Sequence, residues 1–67
     1  MTVADDVRAL RRRAIEEGYV AHASLLFANL TLGMRDGDAA KTAEFTAQFR
    51  RGMEVADRAL AIALETS

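Results

Sequence analysis

The chain contains no cysteine, no proline and no tryptophan, and its single histidine is His22. Without cysteine it cannot form a disulfide, and one histidine without neighbouring ligands does not provide a zinc site. The lack of proline and the fourteen alanines among 67 residues favour helix along the whole length. We therefore expect an all-α protein that needs no cofactor and no metal.

The chain also lacks a marked excess of charge of either sign. Nine basic and ten acidic residues leave a net charge of −1, which argues against a general attraction for nucleic acid. Asp5, Asp6 and the run Arg11–Arg13 stand where the apolar core of a secretion signal would lie, so we expect a cytoplasmic protein. The longest charge-free run, residues 18–34, would span about 25 Å as a helix. Because this is short of a bilayer core, we expect no membrane role.

The first half of the chain predicts one long helix over about residues 3–34. Thr2 is suited to cap its start, with Asp5 in the first turn. Gly18 interrupts the apolar pattern, and the sequence leaves open whether it kinks or breaks the helix. The apolar residues that recur at helical spacing, and that we expect to face the neighbouring helix, are Val7, Leu10, Ala14, Ala21, Leu25, Ala28 and Leu32.

A turn is predicted at residues 35–38, followed by a second helix over about residues 39–65. Gly37 can adopt a positive φ, and Asp38 is a suitable cap for the helix that follows. The second helix is clearly amphipathic. Its apolar stripe consists of Phe45, Phe49, Met53, Ala56, Leu60, Ala63 and Leu64.

The charge-free run 18–34 has apolar side chains in almost every direction around the helix. A single antiparallel neighbour covers only one side, and a 67-residue chain has no other helix to offer. We therefore predict that the hairpin forms a homodimer, a four-helix bundle in a single domain of residues 1–67. Asn29 could fix the register of the two chains in such a dimer interface, or could simply bond to water at the edge of the interface. The predicted dimer interface comprises Leu25, Leu26, Phe27, Leu30, Phe45, Phe49, Val55 and Ile62.

No catalytic arrangement is visible, because His22 has no serine or carboxylate at a suggestive spacing. We expect a protein that is not an enzyme and that binds another protein. Arginine and amphipathic aromatics are favoured at such contacts. On that basis the predicted partner-binding residues are Arg8, Arg12, Tyr19, Arg50 and Arg51. Two alternatives remain open, a small nucleic-acid-associated regulator that uses Arg8–Arg13 and a purely structural assembly subunit.

The layout of this chain consists of two long alanine-rich helices, a turn at Arg35–Asp38 and a self-associating apolar face. It resembles the small helical proteins that bacteriophages make to disable host regulators, in particular the anti-quorum-sensing and anti-pilus dimers. The resemblance lies in the architecture and is carried by Arg8–Glu17, Tyr19–Met34 and the turn, without a diagnostic motif. It implies a noncatalytic dimer that blocks a LuxR-type transcription factor or a pilus-assembly ATPase.

Overall fold

The computed structural model describes residues 2–66. Helix α1 covers Val3–Met34 and helix α2 covers Ala39–Thr66, and the two helices pack against each other as an antiparallel hairpin about 55 Å long. The described residues contain no strand. The predicted all-α hairpin is therefore confirmed, with helix bounds within one residue of those expected. Helix α1 continues without interruption through Gly18.

The first turn of each helix is capped by the side chain that the sequence indicated. The hydroxyl of Thr2 accepts a hydrogen bond from the amide of Asp5 at 3.3 Å, which caps α1. The Asp38 carboxylate accepts from the amides of Ala40 and Lys41 at 2.8 and 3.2 Å, which caps α2. Gly37 has a φ of 69°, a left-handed conformation that glycine adopts at little cost. The four-residue connection therefore turns sharply enough to bring α2 back along α1.

The stripe predicted for α2 is confirmed as the surface that packs on α1. All seven of its residues are buried or half-buried, and Ala56, at 6% exposed, is the most enclosed of them. The stripe predicted for α1 is wrong, because every one of its residues is exposed. The residues of α1 that are half-buried or buried instead form a neighbouring row, namely Ile15, Tyr19, Ala23, Leu26, Leu30 and Gly33.

Two glycines explain which row of α1 faces α2. The ring of Phe45 fills the space that a Cβ at Gly33 would occupy, and the Leu26 side chain does the same at Gly52, where the nearest atom would be 2.6 Å away. Each contact places a large side chain of one helix over a bare backbone of the other. The helices can then approach closely along this row. The expected row has no comparable fit with α2, because it lies on the outer surface of the hairpin.

Candidate protein-binding surface

The hairpin has two broad sides that differ in chemistry. Leu26 of α1 points towards α2, so its neighbours Leu25 and Phe27 lie about 100° to either side of the contact. In the same way Val55 and Asp57 flank Ala56, which is buried against α1. We call the side with Leu25 and Val55 the cleft side. The side with Phe27 and Asp57 is called the opposite side.

A shallow cleft of about 380 Å³ runs between the helices on the cleft side. Gly18 lies in its wall, and an added Cβ there would meet nothing within 4 Å. Leu25 and Leu32 follow Gly18 at intervals of seven residues and extend the same side of α1. No lining residue is an acid, a lysine or an arginine. The cleft is lined by Ile15, Gly18, Tyr19, His22, Val55, Ala56, Ala59, Leu60 and Ala63.

The apolar surface continues beyond the cleft on both helices. Leu25 and Leu32 are 65% and 61% exposed, and on α2 Val55 and Ile62 are 57% and 55% exposed. Val55 and Ile62 are also seven residues apart, so they lie in one row along α2. Apolar residues of both helices therefore border the cleft. An exposed apolar surface of this kind is a typical feature of surfaces that contact another protein.

The opposite side is mixed. Helix α1 contributes an exposed apolar row of Val20, Phe27 and Met34. Helix α2 contributes Asp57 and, seven residues before it, Arg50. Charged groups of α2 therefore accompany the middle of this apolar row, whereas on the cleft side the charged residues of the same rows, Arg11 and Lys41, lie towards the two ends of the hairpin.

A hydrogen bond between the helices lies on the opposite side. The Tyr19 hydroxyl donates to Oδ1 of Asp57 at 2.7 Å. This bond is the main cause of a pKa of Tyr19 above its usual 10.0, with smaller contributions from desolvation and from the charge of Asp57. The Tyr19 ring lines the cleft at the same time. Tyr19, which we predicted as a partner-binding residue, is therefore half-buried and bonded within the chain.

The residues predicted for the dimer interface fall into three groups. Four of them, Leu26, Leu30, Phe45 and Phe49, are half-buried between the two helices of one chain. Phe27 is exposed on the opposite side. Leu25, Val55 and Ile62 are exposed on the cleft side. The prediction therefore mixed residues that hold the hairpin together with residues that remain available to a second molecule.

The arginines predicted to bind a partner are exposed, but they do not form one patch. Arg8 and Arg12 lie in the first third of α1, towards the open end of the hairpin, and Arg12 pairs with Glu16 at 3.4 Å. Arg50 and Arg51 lie near the middle of α2. Arg12 and Glu16 are four residues apart, a spacing at which opposite charges on a helix pair. This pair is highly exposed and contributes little to stability.

His22 lines the cleft, and Asn29, seven residues further on, lies on the same side of α1. Within residues 2–66 no group of three or more histidine or acidic side chains could hold a metal ion. Neither described helix combines the length and the apolar character needed to cross a membrane. The apolar pattern of neither helix alone predicts the cleft. The one sequence feature at its position is a glycine, Gly18, in the middle of a long helix.

Comparisons with models of protein families, with curated protein sequences and with solved structures find no match to this chain.

Proposed function

We propose that this protein is a noncatalytic protein-binding module that forms a homodimer, with two hairpins packed as a four-helix bundle. The supporting observation is the surface that a single chain leaves exposed, 5393 Å². A compact monomer of the same mass, 7.3 kDa, would expose about 4,200 Å². The difference, roughly 1,200 Å², is larger than the ~800 Å² that each partner buries in a standard interface.

The composition of this surface supports association as well. Ten large apolar side chains are exposed in the single chain, while Ala56 is its one buried apolar residue within the described part. Burial of apolar surface is the main driving force of folding, so a hairpin with so small a core gains much of its stability from a second molecule. Two hairpins that share their exposed rows would form a common core.

The function of such a dimer is inhibition by occlusion. A small rigid bundle can cover a functional surface of a larger protein without any chemistry of its own. The resemblance in layout to phage-encoded host-takeover proteins points to a bacterial regulator as the target, either a LuxR-type transcription factor or a pilus-assembly ATPase. In that setting Arg8, Arg12, Arg50 and Arg51, which are exposed, are available for the target.

Two measurements test this proposal. Sedimentation equilibrium of the pure protein at micromolar concentration should give twice the chain mass, and a helical 7 kDa monomer would refute the dimer. Purified LuxR-type regulator and pilus ATPase should then be titrated with the dimer, with promoter binding and ATP hydrolysis as the readouts. Inhibition of either supports the proposed target class. A dimer that affects neither protein, and that captures no regulator from a bacterial lysate, would favour the structural-subunit alternative.

A further inference from the structure

Gly18 has no role within the single hairpin. It lies in the middle of a 32-residue helix, where glycine is unfavourable compared with alanine. No turn or positive φ requires it, and no side chain of the hairpin occupies the space beside it. Gly33 and Gly52 differ in this respect, because Phe45 and Leu26 pack over them. The space beside Gly18 opens instead into the cleft on the outer surface.

We propose that the cleft side is the self-association surface of this protein and that its occupant is a second copy of the chain. This inference rests on the proposed dimer and specifies which surface forms it. The area that one chain has to bury is of the size that a stable dimer needs. The second copy presents the same uncharged cleft and the same bordering rows, which a two-fold symmetric interface requires.

Charge distribution selects the cleft side over the opposite side. In the middle of the cleft side both helices contribute exposed apolar residues, represented by Leu25 and Val55, and the charged residues of that side lie towards the ends of the hairpin. On the opposite side α2 contributes Asp57 and Arg50, and two-fold pairing would bring these charges into an apolar contact. Burial of charge is unfavourable unless each group is paired. Phe27, although as exposed as Leu25, therefore stays outside the contact between the two copies.

The polar residues of the cleft side do not oppose this contact. The His22 side chain can stay at the rim of the cleft, where it is exposed. Asn29 can bond to the second copy through its amide. The absence of acids, lysines and arginines from the cleft lining means that no ion has to be desolvated in the cleft itself.

Thiol protection tests the surface directly, since the chain has no cysteine of its own. Leu25→Cys and Phe27→Cys are a matched pair, because the two residues flank Leu26 on either side and are 65% and 60% exposed in the hairpin. At a concentration where the protein is dimeric, a maleimide should react with Leu25→Cys about tenfold or more slowly than with Phe27→Cys. On dilution to the monomer the two rates should converge. Equal rates in the dimer, or protection of Phe27→Cys, would overturn the inference.

A second pair of variants tests the role of Gly18. Gly18→Leu fits the single hairpin, where the site is open, but fills the cleft. It should weaken dimerisation by about tenfold or more, while helicity is kept. Ser24→Leu adds the same side chain to an exposed site of α1 away from the cleft and should leave dimerisation unchanged. An unaltered dimer with Gly18→Leu would refute the surface and leave the proposed dimer standing. A monomeric wild-type protein would refute both.

Discussion

Phe45 of α2 packs its ring over the bare backbone of Gly33 of α1, in the space that a Cβ at Gly33 would occupy. Gly33 is one of the two residues that are buried within the described range 2–66. Gly33→Ala should therefore destabilise the protein by about 1–3 kcal/mol, although alanine is the better helix former. Urea unfolding would measure this loss. An equal or greater stability of Gly33→Ala would show that Phe45 moves aside freely.

Ser24→Ala is the matched control for that experiment. Ser24 lies in the same helix, is exposed, and bonds only to the carbonyl of Val20 one turn earlier. Its replacement should change the free energy of unfolding by no more than about 0.5 kcal/mol.

The cap of α2 offers a second test. The Asp38 carboxylate satisfies two amides of the first helical turn, so Asp38→Ala should cost about 1 kcal/mol of stability. Asp36→Ala is the control, because Asp36 only pairs with Lys41 across 3.8 Å at an exposed site. A pair of this kind contributes little. Thermal unfolding followed by circular dichroism would separate the two variants, and equal losses would contradict the capping role of Asp38.

The turn, the caps and the stripe of α2 could all be predicted from the sequence, because each depends on a local pattern. The row of α1 that faces α2 could not. Helix α1 carries apolar residues on several sides, and the periodicity of one helix does not say which side meets the other. That choice depends on the fit of Phe45 to Gly33 and of Leu26 to Gly52. Such a fit between distant residues is visible only when both helices are placed.

The candidate surface could be predicted only in part, again because the sequence does not say which side of α1 meets α2. A need for further neighbours followed from the charge-free run 18–34. The division of its residues between the hairpin core and the outer surface did not, so Leu26 and Phe27 were expected to share one interface. They lie about 100° apart on α1, and only Leu26 is packed against α2.

The Tyr19–Asp57 bond predicts a dependence of stability on high pH. Because the pKa of Tyr19 is raised in the folded protein, the hydroxyl form is favoured by folding. Its contribution is complete below the usual pKa of 10.0 and is lost as the pH rises through the higher folded value. The free energy of unfolding should therefore fall more steeply above pH 10.0 in the wild type than in Tyr19→Phe. Parallel curves for the two proteins would show that the bond does not form in solution.

The basic residues Arg8, Arg11, Arg12 and Arg13 provide the last test, which concerns nucleic acid. All four are exposed, but Arg12 is already paired with Glu16 and the net charge of the chain is −1. We expect no electrophoretic shift of random duplex DNA at about 0.15 M salt, where surface charges are screened beyond roughly 8 Å. If these arginines do bind phosphates, affinity must fall steeply with salt, because each neutralised phosphate releases counterions and adds close to one unit of slope to log K against log salt. A salt-dependent shift that disappears in the Arg11→Ala, Arg12→Ala double variant would therefore replace protein binding by nucleic-acid binding as the favoured function.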